Sequence, residues 1–148
     1  QEITQLYEPL ATEKEIQLAN RIHESTMVYA DPNQLRVILR NLLGNALKFT
    51  PANGTVSLRT DFYTPDLVHI SVSDTGQGIC PTQIKHLFSF ADKQSTQGTA
   101  GEKGVGLGLI LVREYVEKNG GEIEVESEPG VGTTFRFSLP LAPQPSLA

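Results

Sequence analysis

The sequence predicts a two-layer α/β sandwich: a mixed, mostly antiparallel sheet of about five strands, covered by three helices. Three observations carry that expectation. Segments with apolar residues at helical spacing are distributed among segments in which every second residue is apolar, with no internal repeat. The longer helical segments begin or end on cap residues. Finally, residues 91–103 are polar, contain Gly98 and Gly101, and have no apolar periodicity, which suits a flexible lid.

Taken in order, residues 2 to about 14 carry Ile3, Leu6, Tyr7 and Leu10, an amphipathic helix. Gln17 to Ile22 and Met27 to Ala30 alternate weakly and read as short strands. The stretch 31–50 is the organising element. Asp31 can accept from first-turn amides, Pro32 suits the first helical position, and Gln34 can reach back as in a capping box. Leu35, Ile38, Leu39, Leu42 and Ala46 form a buried stripe, and Pro51 disfavours a helical Thr50. Asn41, Asn45 and Lys48 share another face of that helix, where an ordinary surface would carry Lys and Glu.

After an Ala52-Asn53-Gly54 turn, residues 55–62 alternate with Val56, Leu58, Thr60 and Phe62 on one face. Val68, Ile70 and Val72 form the inner face of a partner strand. Asp74 keeps their parity, so a carboxylate points into the buried layer where Thr75-Gly76-Gln77-Gly78 turns the backbone. Residues 81–88 read as a short helix. A helix with Leu109, Val112 and Val116 on one side ends at Asn119-Gly120-Gly121. Ile123 and Val125 alternate with glutamates, and Thr133, Phe135, Phe137 and Leu139 share the inner face of a last strand. The domain is expected over 1–140, with 141–148 a linker or tail.

The totals exclude several classes. The chain of 148 residues is 39% hydrophobic and 20% charged, enough for one domain with a substantial core. A net charge of −5 argues against nucleic acid or an anionic membrane as the main partner. The single cysteine, Cys80, excludes an internal disulfide framework and fits a reducing compartment. No apolar run approaches the roughly 20 residues of a membrane span. Because the chain starts at Gln1 and its only methionine is Met27, a longer parent protein is expected.

Three glycines in five residues, Gly104, Gly106 and Gly108, lead into a helix and would offer free amides and a positive dipole end to phosphate. This is not a P-loop, since no G-K-[ST] follows. His23, His69 and His86 lack metal-like spacing or a paired nucleophile and read as structural or solvated.

N-L-L-x-N-A-x-K-F-T, D-T-G-x-G-I, G-x-G-L-G-L and G-x-G-T-T-F follow one another across residues 41–135. Together they closely resemble the catalytic, ATP-binding domain of sensor histidine kinases, in the superfamily of gyrase, heat-shock chaperone and mismatch-repair ATPases. The resemblance implies ATP and Mg²⁺ as cofactors, with a lid over the nucleotide. Asn45 would coordinate Mg²⁺, Lys48 would meet the phosphates, and Asn41 would help hold the triphosphate or the metal's water shell. Those three would be the catalytic residues. Asp74 would accept from the exocyclic amine of adenine, Gly76 and Gly78 would let the backbone approach the base, and Thr133 would join the adenine network. Ile79 and Phe88 would contact the nucleotide, and Gly104, Val105, Gly106, Leu107 and Gly108 would wrap the phosphates.

Two departures stand out. The phenylalanine box reads Phe88-Ser89-Phe90, one residue shorter than the family's F-x-x-F. No acceptor-histidine signature is present, since His23-Glu24-Ser25-Thr26 lacks the Arg and Pro. The resemblance therefore implies a cytoplasmic kinase domain with two partners: an upstream dimerisation and histidine phospho-acceptor domain, and a response-regulator receiver domain. Neither nucleic acid nor direct membrane contact is expected. A catalytically degenerate nucleotide-binding regulatory module and an anti-sigma-type serine kinase share the scaffold and stay open. Hydrolysis by the domain alone is expected to be slow. In the related ATPases a carboxylate stands one helical turn before the metal-binding asparagine, and here that position is Asn41.

Overall fold

The computed structural model describes residues 2–22, 30–62, 64, 66–79 and 107–141. In chain order these form α1 (Glu2–Glu13), β1 (Gln17–Arg21), α2 (Pro32–Phe49), β2 (Thr55–Asp61), β3 (Leu67–Asp74), α3 (Leu107–Lys118), β4 (Ile123–Glu128) and β5 (Gly132–Pro140). The strands make one sheet in the order β1-β2-β3-β5-β4. Only β1 and β2 pair in parallel, because α2 carries the chain back across the sheet between them. All the other neighbours are antiparallel. This is the expected α/β sandwich, with three helices and five strands among the described residues.

Alternation drives the sheet's inner face against the helices. Val56, Leu58, Val68, Val72, Phe137 and Leu139 are essentially inaccessible to solvent, as are Leu109, Val112 and Val116 of α3. In α2 the buried set is Ile38, Leu42, Leu43, Ala46 and Leu47. It is wider than the predicted stripe because α2 lies between the sheet and two other helices, while Leu35 and Leu39 are only partly buried.

The ends of α2 are fixed by chemistry. Asp31 Oδ1 accepts from the Asn33 and Gln34 amides at 2.8 and 3.2 Å, and Pro32 opens the helix. Such a cap is worth about 1 kcal/mol. Gln34 does not close a capping box. Its Oε1 accepts instead from Asn119 Nδ2 at 2.8 Å, while Asn119 Oδ1 accepts from the Asp31 amide at 2.8 Å. One carboxamide after α3 therefore ties that helix's end to the start of α2. At the other end Thr50 turns extended, and Lys14 Nζ donates to the carbonyls of Leu47 and Lys48 at 2.7 and 3.3 Å. A cation thus sits where the helix dipole is negative.

Several expectations change. Leu6 and Leu10 are 53% and 41% exposed, since Tyr7 and Ala11 supply the side of α1 packed on the core. Phe62 falls beyond the end of β2 and is half exposed. Ala30 lies in a bend, and the rest of the strand expected over 27–30 is outside the described residues. The Leu141 amide still donates to Asp66 O at 2.9 Å, so the domain reaches one residue into the expected tail. The helix expected over 81–88, the lid over 91–103, and Cys80, His23 and His86 lie outside the described residues. None of the described helices is long and apolar enough to cross a membrane.

Candidate functional site

The predicted residues fall into two groups, one at the strand ends beside the C-terminus of α2 and one along α2 itself. The first is built from strand ends. Asp74 closes β3 opposite Thr133 of β5, and Asp74 Oδ1 accepts from the Gly76 and Thr133 amides at 2.8 and 3.3 Å. Its parity with Val68, Ile70 and Val72 makes it a carboxylate in an apolar layer. Burial pushes its pKa up to about 6, against the opposing pull of the Gly76 and Thr133 amides. A carboxyl group titrating this near neutrality, at the rim of a core, is the pattern expected at functional sites.

The turn after Asp74 is wedged between two other parts of the chain. Gln77 N donates to Phe49 O at the end of α2, and Gly130 N donates to Gln77 O from the β4–β5 turn. A side chain at Gly76 would collide with the Phe49 carbonyl, and one at Gly78 with the Glu128 carbonyl. Gly78 also has φ +75°. The two glycines therefore have a packing reason within the chain itself, besides any approach to a ligand.

The second group is a row along α2. Asn41, Asn45 and Lys48 are half-buried on one face. From helix geometry they span about 10 Å along the axis, and Phe49, which abuts the Asp74 turn, ends the row. Asn41 Nδ2 donates to Val37 O at 2.9 Å, one turn back on the same helix. Its Oδ1 is then turned to the start of α3, where a Cβ on Gly108 would stand 2.6 Å away. Gly108 thereby lets the first turn of α3 approach the carboxamide row. Since Asn119 meets the opposite end of α2, the two helices run antiparallel.

Of the predicted site residues, Asp74, Gly76, Gly78, Ile79 and Thr133 gather at the strand ends. Asn41, Asn45, Lys48 and Gly108 lie along the helices, and Leu107 opens α3. Phe88, Gly104, Val105 and Gly106 lie outside the described residues. Sequence reasoning missed Ser127 of β4. Its Oγ accepts from the Ile79 amide at 2.7 Å, donates to Gly132 O at 3.0 Å and lies 2.8 Å from Thr133 Oγ1. The signal was available, because Ser127 has the parity of Ile123 and Val125 and, like Asp74, is a polar residue at an inward position.

Among the described residues no group of three or more His, Cys, Asp or Glu side chains could cage a metal. The arrangement suits a ligand that brings its own charge: a row of two carboxamides and an ammonium for anionic oxygens, and a half-buried carboxylate at one end for a donor.

The sequence model of the histidine kinase-, DNA gyrase B- and HSP90-like ATPases matches residues 30–143. The adaptive-response sensory kinase SasA of Synechococcus elongatus is 36% identical over 141 residues, which are 95% of this chain and 36% of SasA. The nucleotide-free catalytic domain of histidine kinase ThkA superposes with a TM-score of 0.80 at 29% identity, covering 96% of this chain and 91% of that domain. Full-length ShkA, in complex with AMPPNP, gives a TM-score of 0.80 at 34% identity, covering 98% of this chain and 30% of ShkA. The chain thus spans about a third of the length of these two relatives.

Proposed function

The chain belongs to the histidine kinase-, DNA gyrase B- and HSP90-like ATPase family, and from that premise we propose that it is the Mg-ATP-binding catalytic domain of a two-component sensor kinase. The single observation carrying this reading is the continuity of the two groups, with Asp74 and Thr133 at one end and Asn41, Asn45 and Lys48 leading away along α2. Adenine belongs at the strand ends. The Asp74 carboxylate accepts from its exocyclic amine, which guanine, with a carbonyl there, cannot offer. Both amides that bind Asp74 end on Oδ1, which leaves Oδ2 for the base.

The triphosphate runs toward Gly108, with Lys48 as a point charge and Asn41 as a carboxamide donor or acceptor. Magnesium keeps several waters and takes few protein ligands beside substrate phosphates, so one carboxamide oxygen from Asn45 fits its habit, and no protein cage is required. Bound, the ion would neutralise charge on the phosphates. Residues of this chain supply positioning and electrostatics. The nucleophile is a histidine nitrogen on the dimerisation domain of the longer protein. The bond from γ-phosphorus to the bridging oxygen breaks, a P–N bond forms, and ADP leaves. A receiver-domain aspartate then takes the phosphoryl group, and a cytoplasmic setting follows from that partnership.

Labelled ATP tests the reading. The purified chain alone should release little phosphate, because Asn41, where related ATPases carry a carboxylate, cannot take a proton at neutral pH, and such a base is typically worth about 10²–10⁴ in rate. With a histidine acceptor domain supplied in trans, acid-labile label should appear on that domain. Acid-stable label would favour a serine kinase, and nucleotide binding without transfer a regulatory module.

A further inference from the structure

Resting on that reading of the adenine end, we infer that Ser127 is a positioning residue that fixes Thr133 as a hydrogen-bond acceptor and so makes the base pocket select an amino over an oxo purine. A serine hydroxyl has one proton and two lone pairs. The Gly132 carbonyl, 3.0 Å away, can only accept, so it takes the Ser127 proton. The Ile79 amide, at 2.7 Å, can only donate, so it fills one lone pair. The remaining lone pair faces Thr133 Oγ1 at 2.8 Å and draws the threonine proton to itself.

Thr133 is thereby left with lone pairs and no proton to offer elsewhere. Its cross-strand neighbour is Asp74, also an acceptor, which receives the Thr133 amide at 3.3 Å. A rim made of two acceptors matches the two N–H groups of an exocyclic amine. It opposes a carbonyl oxygen at the same place, because neither side chain holds a proton for it. The Ile79 contact anchors the device to the turn that follows Asp74. Without Ser127 the threonine proton is released, and its hydroxyl can turn to meet either kind of purine.

The test is calorimetric titration with ADP and with inosine diphosphate, which carries an oxo group in place of the amine. Ser127→Ala should reduce the ADP preference over inosine diphosphate by about two- to tenfold, the range of one neutral hydrogen bond. Ser127→Thr, which keeps the hydroxyl, should restore it. In a Thr133→Val background Ser127→Ala should leave the preference unmoved, since the two residues act as one unit. Should the alanine variant melt below the working temperature, Ser127→Cys, with a much weaker donor and acceptor, carries the same test. Equal weakening of both ligands, or additive effects in the double variant, would overturn the inference and leave Ser127 a structural residue. Asp74→Asn is the control. If it leaves ADP affinity unchanged, the adenine reading falls and this inference with it. If it weakens ADP while Ser127→Ala keeps the wild-type preference, only the inference falls.

Discussion

The strand-end and helix-face halves of the site are built on different principles. At the strand ends Asp74 Oδ1 and the hydroxyls of Thr133 and Ser127 already have partners inside the chain, and two glycines allow backbone to touch backbone. Along α2 the functional groups are side chains on one helix, and the neighbouring helix approaches them through Gly108. A purine has a fixed pattern of donors and acceptors, so a rigid frame can be matched to it before binding. A triphosphate is a flexible string of charge, and long side chains on one helix face can follow it. Disturbing the first half should therefore change the stability of the fold, in either direction, whereas disturbing the second should change binding and leave stability nearly untouched.

The largest effect expected from this contrast is that of Gly78→Ala. A Cβ there meets the Glu128 carbonyl, a backbone atom that cannot swing aside, at a positive φ that alanine disfavours. Roughly 2–4 kcal/mol of stability should be lost in chemical denaturation, together with most nucleotide binding. A variant as stable as the wild type would mean that the turn is not wedged.

Asp74→Asn should move stability the other way. With a carboxyl pKa of about 6 in the folded chain against 3.8 for the free group, the folded form holds more protons than the unfolded form between those values. Stability then falls as pH rises through that window, and above about pH 6 the whole cost of the buried charge is present. Asparagine carries no charge, so the variant should be more stable at pH 7.5 by up to about 3 kcal/mol, with the gain vanishing below pH 4. A gain independent of pH would show that burial of the charge is not its cause.

Gly108→Ala sharpens the other half. Its Cβ meets only the tip of the Asn41 side chain, which can rotate, and a helical alanine is favoured by about 1 kcal/mol over glycine. Stability should stay within about 1 kcal/mol of the wild type, while affinity for ATP drops and affinity for adenosine does not. Equal losses for both ligands would break the division of the site. Ser71→Ala is the smallest change. Its buried Oγ, on the opposite side of the sheet from the Asp74 cluster, has no partner among the described residues. Removing it should raise stability by up to about 1 kcal/mol and leave nucleotide binding alone.

Much of this was legible in the sequence because it depends on local periodicity and caps. Asp31, Pro32, the Leu109-Val112-Val116 stripe and the inward parity of Asp74 are all where spacing puts them. Features set by neighbours distant in sequence were not. Leu43 and Leu47 are buried because α2 is covered on more than one side, and Gln34 turns to Asn119, 85 positions away, in preference to its own cap. The parallel pairing of β1 with β2 is likewise a matter of topology and leaves no mark in either strand. Ser127 has the inward parity of Ile123 and Val125, but a lone serine among glutamates reads as a solvated edge, and its role shows only once Ile79 and Thr133 are seen beside it.

The central claim is that Asp74 marks the base end of a nucleotide laid along α2. Calorimetric titration of ADP into the wild-type chain and the Asp74→Asn variant tests it most directly. The variant keeps the shape, and with its carboxamide oxygen held by the Gly76 and Thr133 amides it turns an NH₂ donor toward the exocyclic amine, so affinity should fall about ten- to a hundredfold, as for a lost hydrogen bond to a charged group. An unchanged dissociation constant, in a variant that folds and is no less stable than the wild type, would place the adenine elsewhere.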